Sequence, residues 1–502
     1  MENKKIVLIS TDGFIQHGLR SISAVLKKNG FDVHIIFFSY DTDARMIFNS
    51  KEILKSIKDI IRNSLIVGIS TNMQVDSPLA IWLFNQIKDM NIPLIWGGIY
   101  PTINPEDCIK HVDILCRGEG EYTTLELVKK LIKKQPIENI ANLWVKKNGE
   151  IIKNPPRELI TDINILPFPD IDSSTHYYLD KKEKKIKKIE NGDLKQTNPE
   201  NLFCVHGTRG CPLICSYCSN KAMDTMYCGR FRRTRKRNVN LIIEELKIAV
   251  KKLHPQKIWF SDDIFTLRTE EELKLFSEMY KKYIHLPFMC YVSPTTISET
   301  KIKYLVDAGI NSVEMGIQSG SDYINKEVYE RQQTKKDVLQ ATKILSKFGN
   351  KITPKYQFIL FNKYEKEEDI LETIDLIKKI PEPYNMQCFT LSLFKGSELY
   401  NRYLKDGYLS KDYKMLDYLD ADIAFWKSIN KMSNRKHYLY TLLWFMIYST
   451  KFRRRLFPLL RNDKLVKIKK IPTMFCYLSA ITISLICKAV RFKRKLIPAI
   501  WF

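Results

Sequence analysis

Along its first third the chain alternates short apolar runs with stretches whose apolar residues recur every three to four positions. The runs, rich in Ile and Val, predict strands, and the longer period predicts helices. Strands are expected at Ile6–Ser10, Asp32–Phe38, Leu65–Ser70, Pro93–Trp96 and Asp113–Arg117, with helices between them such as Leu19–Asn29 and Leu79–Met90. That order predicts βαβ units on a parallel sheet. Ligands of such sheets bind beyond the carboxyl ends of the strands. Those ends carry Thr11-Asp-Gly-Phe-Ile-Gln-His-Gly18, Ser70-Thr-Asn72, Gly97-Gly-Ile-Tyr-Pro101 and Gly118-Glu-Gly-Glu121. From residue 201 the two patterns alternate again to about residue 410, as in a partial barrel of parallel strands. Between the halves, residues 136–200 read as a connection, with a proline-rich link at Leu166-Pro-Phe-Pro-Asp170. Within it, Lys181–Lys188 reads as a solvated loop or short exposed helix.

Composition narrows the class. With 502 residues, 44% hydrophobic and 27% charged, the chain is globular and long enough for two to four domains. Its eleven cysteines, at 108, 116, 204, 211, 215, 218, 228, 290, 388, 476 and 487, are too scattered for a disulfide scaffold and point to a reducing cytosol. The N-terminus runs from Met1 straight into Ile6-Val-Leu-Ile9 without the long apolar stretch of a secretory signal. The net charge of +25 is concentrated at the other end, where residues 433–502 hold sixteen Lys and Arg against the single acid Asp463. These charges border two apolar runs, Tyr438–Thr450 and Ile471–Cys487, in clusters at Arg453–Arg455, Lys467–Lys470 and Lys488–Lys495. As a helix the second run spans about 25 Å against a hydrocarbon core of about 30 Å, marginal for crossing a membrane. Such a tail, with Trp444, Tyr448 and Trp501, suits an anionic membrane surface. The same pattern fits a helical cap packed over the barrel.

Candidate chemistry centres on Cys211-Pro-Leu-Ile-Cys215-Ser-Tyr-Cys218, preceded by His206-Gly-Thr-Arg-Gly210. Three thiolates on one loop hold a four-iron, four-sulfur cluster with one iron left open to a further ligand. A zinc loop is the other reading, but it usually has a second Cys/His pair downstream, which this chain lacks. Cys228 is near enough in sequence to close the site. Further on, Ile258-Trp-Phe-Ser-Asp-Asp-Ile-Phe-Thr266 places Asp262 and Asp263 at the ligand-bearing end of a strand. Those two acids can equally cap the helix that starts at Thr269. The run Gly229-Arg-Phe-Arg-Arg-Thr-Arg-Lys-Arg237 looks at first like a nucleic-acid patch.

The cysteine spacing, with the aromatic Tyr217 before the last cysteine, resembles the signature of the radical S-adenosylmethionine (radical SAM) superfamily. Trp96-Gly-Gly-Ile-Tyr-Pro-Thr102, Pro105-Glu106 and Asp113-Ile-Leu-Cys-Arg-Gly-Glu-Gly-Glu121 resemble the cobalamin (B12) domain upstream of many of its members. The resemblance covers residues 1 to about 410. It implies an α/β protein: a Rossmann-like cobalamin-binding domain over 1–135, a linker over 136–200, a partial (β/α)6 radical SAM barrel over 201–415, and a basic helical C-terminal region over 416–502. It further implies a [4Fe-4S] cluster on Cys211, Cys215 and Cys218. S-adenosylmethionine would lie near Asp262, Asp263, Glu314, Gln318, Ser319 and Arg331, the last beside its carboxylate. Cobalamin would lie near Asp12, Ser70, Thr71, Gly97, Gly98, Gly118 and Glu119. Asp12 and His17 are too far apart for the Asp-x-His-x-x-Gly motif that places a histidine under cobalt, so His17 reads as a loop histidine and the cobalt as lacking a histidine ligand. The segment Gly229–Arg237 takes a structural or SAM-proximal role by the same resemblance, and nucleic acid is not an expected partner.

Two later motifs depart from the family, at Leu360-Phe-Asn-Lys-Tyr-Glu365 and Lys395-Gly-Ser397. The implied reaction is cleavage of S-adenosylmethionine to a 5'-deoxyadenosyl radical, followed by cobalamin-dependent methylation of an unactivated carbon in an anaerobic site. The implied partners are an electron donor such as flavodoxin or ferredoxin and a small or lipid-like substrate. A cytoplasmic enzyme, peripheral at the inner membrane face, fits these expectations. A radical SAM oxidoreductase or cyclase, with cobalamin used otherwise or absent, is the alternative within the enzymes. A noncatalytic cobalamin or iron-sulfur sensor is the alternative outside them.

Overall fold

The computed structural model describes residues 4–11, 13, 16–38, 44–190, 200–409, 433–448 and 468. Compact contacts divide the chain into one unit of residues 1–212 and 219–259 and another of 213–218 and 260–502. The first unit is built on nine strands: β1 (Lys5–Ser10), β2 (Asp32–Phe37), β3 (Ile66–Ser70), β4 (Leu94–Gly97), β5 (Ile114–Cys116), β6 (Leu143–Lys147), β7 (Glu150–Lys153), β8 (His176–Asp180) and β9 (Lys185–Lys188). Their order is β7-β6-β5-β4-β3-β1-β2-β8-β9. The five strands expected from apolar runs are all present and pair in parallel, with Lys5 opposite Asp32, Ile6 opposite Ile66, Val67 opposite Leu94 and Ile95 opposite Ile114. Continuous burial explains their composition: Ile6, Val7, Leu8, Ile9, Ile66 and Val67 are all 0–4% exposed. Because β2 and β3 flank β1 on opposite sides, the chain reverses direction across the sheet at β1 and β3. Ligands bind at such a switch point.

Residues 136–200 do more than connect. β6 extends one edge antiparallel to β5 and β7 follows antiparallel to β6, while β8 runs parallel to β2 and turns back into β9. The lysine run expected as a loop or short helix is therefore the turn and last strand of a hairpin, because Ile186 alternates into the core between solvent-facing lysines. Lysines on an edge strand also oppose pairing with another chain.

Beyond these lie β10 (Leu202–Val205), the short antiparallel pair β11 (Thr208–Arg209) and β12 (Arg235–Lys236), and β13 (Lys257–Phe260). β14 (Phe288–Val292), β15 (Ile310–Gln318), β16 (Thr353–Leu360) and β17 (Asn385–Thr390) follow. The second sheet reads β10-β13-β14-β15-β16-β17, six strands in chain order, as a partial (β/α)6 barrel requires. Registers from β14 to β17 are parallel. Its aromatic floor is a cluster of Phe260, Phe265, Phe276, Tyr280 and Phe288, with ring centroids 4.7–6.2 Å apart. The helix Glu270–Tyr283 is capped by Thr269 and Glu272, not by Asp262 or Asp263.

The first apolar run of the tail forms the helix Asn434–Tyr448, packed on the helix Glu367–Lys379 and on β17. Tyr438, Leu439, Tyr440, Leu443, Trp444, Met446 and Ile447 are buried, so this stretch is a cap on its unit, and Trp444 is no interfacial aromatic. Among the described residues no helix is long and apolar enough to cross a membrane. The run Ile471–Cys487, the basic clusters Arg453–Arg455, Lys467–Lys470 and Lys488–Lys495, and Trp501 lie outside the described residues.

The capping helix is fastened at Glu365. Tyr440 Oη donates to Glu365 Oε2 at 2.6 Å, and Lys436 Nζ donates to the Glu365 carbonyl. Burial pushes the Glu365 carboxyl up to about 7, against the Tyr440 hydrogen bond and the Lys436 charge, with Asp369 adding to the rise. A folded-state value above the unfolded one means the native chain holds the extra proton. The stabilisation is full below the unfolded carboxylate value and is lost as pH rises through about 7. Glu365→Gln should therefore flatten the decline in stability between about pH 5 and about pH 8 by on the order of 2 kcal/mol, read by urea unfolding. Parallel profiles for the two proteins would contradict this assignment.

Candidate cluster and cofactor site

The second and third cysteines sit on a loop gripped from one side. Ser216 N–H donates to Tyr329 O at 2.9 Å, Ser216 Oγ donates to Val328 O at 2.6 Å, and Leu399 N–H donates to Ser216 O at 2.9 Å. The acceptors belong to a π-turn at Ile324–Val328, where irregular winding frees carbonyls for other donors. Tyr217, the aromatic of the motif, packs edge-on against Tyr329 with centroids 5.1 Å apart. Cys215 is buried, Cys218 half-buried and Cys228 exposed.

Arg331 is the cation of this loop. Its Nη1 donates to Cys215 Sγ at 3.7 Å and Tyr217 Oη at 3.3 Å, its Nη2 to Gly316 O at 3.1 Å, and its Nε to Gln333 Oε1 at 2.7 Å. Burial by itself would loosen the guanidinium proton, but the neighbouring Tyr217 oxygen and Cys215 sulfur raise its affinity further. A guanidinium has five N–H groups, and these four bonds leave one. Gln333, which the sequence did not single out, completes the clamp by donating to Ile317 O at 2.6 Å.

The strand-end residues divide into engaged and open. Glu314 accepts from Lys355 Nζ at 2.8 Å and Gln357 Nε2 at 2.7 Å. Ser319 Oγ faces Glu365 and Thr373 at 3.4 Å and accepts from Ser321 N–H at 3.1 Å, deep inside the unit. Gln318, with φ of +67°, has a buried Oε1 with no partner among the described residues. The aspartate pair splits, Asp262 being buried and Asp263 exposed. Asp262 and Glu314 both lie near the buried Cys290, whose thiol burial and these two charges push well above its ordinary value. Burial likewise pushes the Cys116 thiol up to about 12. Protonated thiols of this kind are inert.

In the first unit the switch-point loops are tied together. Thr11 N–H and Oγ1 both donate to Ser70 O, and Gln16 Nε2 donates to Ser70 Oγ at 2.7 Å. Trp96 Nε1 donates to Thr71 Oγ1 at 3.0 Å, so both hydroxyls expected to meet cobalamin already accept a protein hydrogen bond. Gly98, at φ of +106°, is required by the protein itself, since a Cβ there would lie 2.3 Å from Thr71 O. Gly118 is likewise required, by Tyr227 Oη at 1.9 Å from its would-be Cβ. Gly97 and Gly18 differ. A Cβ on Gly97 would meet only ordinary contacts at 3.8 Å or more, and one on Gly18 nothing within 4 Å. Glycine in the first turn of the helix His17–Lys28 costs about 1 kcal/mol relative to alanine. Open space at both fits a bulky group approaching the backbone. Gly18 was visible in the sequence only as the end of a loop. Asp12 lies outside the described residues. His17 is not a loop residue but begins that helix; burial, then His206, Arg20, Arg209 and Arg237, hold its pKa well below the ordinary value.

Glu119, expected near cobalamin, has its carboxylate committed elsewhere. Oε1 accepts from Arg209 at 3.1 Å and Arg235 at 2.8 Å, and Oε2 accepts from the Ile160 N–H at 2.8 Å. Arg209 also donates to Glu121 at 2.5 Å, and Ser21 Oγ does so at 2.8 Å. Burial opposes ionisation of Glu121, but Arg209 and Ser21 hold its carboxyl below the usual range. Removing one member of such a buried set costs about 3–5 kcal/mol, because it strands the others. The set holds the backbone just before Gly210 and Cys211.

Comparison with known proteins agrees with this geometry. The profile of the Radical SAM superfamily matches residues 205–377, and that of the B12 binding domain matches residues 6–128. An uncharacterized methyltransferase of Pyrococcus horikoshii is 26% identical over 357 residues, covering 70% of this chain and 71% of the relative. The bacteriochlorophyllide d C-8(2)-methyltransferase of Chlorobaculum tepidum is 24% identical over 362 residues, covering 68% of this chain and 69% of its own. The fold is shared with the cobalamin-dependent S-adenosylmethionine radical enzyme OxsB, solved with aqua-cobalamin and S-adenosylmethionine bound. The TM-score is 0.66 at 14% identity, over 99% of this chain and 80% of that one.

Two outcomes test the assignment. Cys215→Ala should lose the bound iron, whereas Cys228→Ser should keep about four irons per chain after anaerobic reconstitution, read by iron and sulfide analysis. Gly97→Val should lower cobalamin retention at least ~10-fold while leaving the melting temperature of the cofactor-free protein unchanged. Retention equal to wild type would show that the open space at Gly97 is not the cradle.

Proposed function

We infer the reaction from a premise: this chain belongs to the radical SAM enzymes that carry an N-terminal B12-binding domain. It transfers a methyl group to an unactivated carbon of a small or lipid-like substrate. When bound, the four-iron cluster supplies the electron that cleaves S-adenosylmethionine to the 5'-deoxyadenosyl radical, and cobalamin serves as methyl carrier. The protein's residues bind and position these groups. Cys211, Cys215 and Cys218 offer three sulfurs, and Arg331 holds a fixed positive charge on Cys215. Gln318 presents a buried acceptor suited to a hydroxyl or amine donor of S-adenosylmethionine. Arg331 has one N–H left for the carboxylate, so it recognises that group through a single bond. Glu314 and Ser319 keep Lys355, Gln357 and Glu365 in place behind the strand end. Asp262 is the buried acid of its pair and Asp263 the solvent-facing one. On the other cofactor's side, Gly97 and Gly18 leave room, while Ser70, Thr71, Gly98, Gly118 and Glu119 stiffen the surrounding loops. His17, neutral and packed against His206 at 4.8 Å between centroids, leaves the cobalt without a histidine ligand in this reading.

The observation that carries the proposal is the clamp of Arg331 on Cys215 beside the unsatisfied Gln318 acceptor. A cofactor inventory tests it: the reconstituted protein should hold about four irons and one cobalamin per chain and form 5'-deoxyadenosine from S-adenosylmethionine under dithionite. Iron and 5'-deoxyadenosine without cobalamin would sink the methyl-transfer reading. Bound cofactors without 5'-deoxyadenosine would favour a sensor.

We further place the enzyme in the cytoplasm, held at an anionic membrane face by the basic residues that follow the capping helix. Replacing Arg453, Arg454 and Arg455 by Glu in the full chain should reduce cosedimentation with phosphatidylserine vesicles by ~10-fold or more, at about 1 kcal/mol per charge. Unchanged cosedimentation would leave the tail without a membrane role.

A further inference from the structure

The run Gly229–Arg237 carries six basic residues and no acid, and the structure divides them. Arg235 and Arg237 turn inward, to Glu119 and Glu245, and account for the structural share of the run. Arg230, Arg232 and Arg233 are exposed. Arg232 is held by Asp224 at 2.8 Å, while Arg230 donates from Nε to Tyr227 O at 3.2 Å and has, among the described residues, the outlying Glu158 as its one carboxylate at 3.7 Å, itself 90% exposed. The Arg233 side chain makes no ion pair or hydrogen bond among the described residues.

This surface is rigid. Asp224 accepts the Arg232 N–H at 2.9 Å, Gly229 N–H donates to Asp224 O at 2.8 Å, and Arg230 N–H donates to Tyr227 O at 3.1 Å. Phe231 stacks on Tyr227 with centroids 6.1 Å apart and planes 12° from parallel. The segment is also mounted on the cysteine loop. Pairing of β11 with β12 sets Thr208 opposite Lys236 and Arg209 opposite Arg235. At Gly210, with φ of +87°, a Cβ would lie 2.3 Å from Phe231 O and 3.1 Å from Arg233 O, so the arginines lie directly against the residue before Cys211. Three cations at such a place, two of them without a close carboxylate, present a positive face that attracts an anionic partner.

We propose that the exposed face of Gly229–Arg233 is the docking surface for an acidic one-electron carrier protein. The proposal rests on the radical SAM reading, which requires one electron from outside for each S-adenosylmethionine cleaved. In the step, one electron leaves the carrier, whose reduced cofactor is oxidised by one, and enters the cluster on Cys211, Cys215 and Cys218. Complementary charge raises the encounter rate of the two proteins and orients the carrier over the loop. RNA fits this surface less well, because one face of its only aromatic, Phe231, is already stacked on Tyr227, which leaves a single face for a base. A membrane fits less well too, since no exposed apolar residue accompanies the charges.

The test compares two reductants on the reconstituted full-length holoenzyme: reduced flavodoxin, which is acidic, and photoreduced 5-deazariboflavin, which is small and neutral. Arg230→Glu with Arg233→Glu should lower flavodoxin-driven 5'-deoxyadenosine formation at least ~10-fold and weaken its salt dependence, while the deazariboflavin-driven rate stays at the wild-type value. The charge-keeping pair Arg230→Lys with Arg233→Lys should restore the flavodoxin rate. Arg232 is left in place because it holds Asp224. An unchanged flavodoxin rate in the Glu variant overturns the proposal, and so does an equal loss with both reductants, which would make the arginines structural. Binding of a mixed-sequence single-stranded RNA that is lost in the Glu variant, with flavodoxin turnover intact, also overturns it and assigns the surface to nucleic acid. Failure of the wild type with deazariboflavin would instead remove the radical SAM reading itself.

Discussion

The buried sulfur of Cys215 has a fixed cation beside it, Arg331. Its four hydrogen bonds tie together a loop cysteine, the motif tyrosine, the glycine of β15 and Gln333. At Gly316 a Cβ would displace the Gln318 amide, 2.4 Å away, and press on the Arg331 guanidinium at 3.3 Å. The π-turn before Arg331 then serves two purposes, presenting carbonyls to Ser216 and delivering the guanidinium to the sulfur. Changing any one of these residues alters the others, because each occupies a hydrogen-bonding position the next one depends on.

The same economy runs through the loops of the first sheet. Of the glycines and hydroxyls at the strand ends, most are consumed by the protein: Thr71 by Trp96, Ser70 by Gln16, Gly98 by the Thr71 carbonyl and Gly118 by Tyr227. What remains open, Gly97 and Gly18, is a small part of the motif. The Glu119 and Glu121 carboxylates hold Arg209, two residues before Cys211. A basic run that looks uniform in sequence is thereby divided, with Arg235 completing this set, Arg237 pairing with Glu245, and Arg230, Arg232 and Arg233 facing solvent.

Several features were legible because they depend on local chemistry alone. The five parallel strands followed from apolar runs and the three-cysteine loop from spacing. Others were not, for the physical reason that they join residues distant in the chain. Nothing near Glu365 in sequence announces that burial under Tyr440, 75 positions later, will hold its proton. The strands of residues 136–200 were hidden because they are short and mix lysines and acids with their apolar positions, as the edge strand β9 does with Ile186 between lysines.

The amino-acid sequence by itself determined the class of fold, since alternation is a property of neighbours along a chain, and its motifs implied the cofactors through their resemblance to a family. Tertiary structure decided which of the polar residues at the strand ends are open. Glu314, Ser319 and Glu119 are spent on partners 41 to 116 positions away, and Gln318 is not. It also turned the first apolar run of the tail into a buried cap. A hydrogen-bonding group can satisfy only what packs against it, and that is set by the fold as a whole.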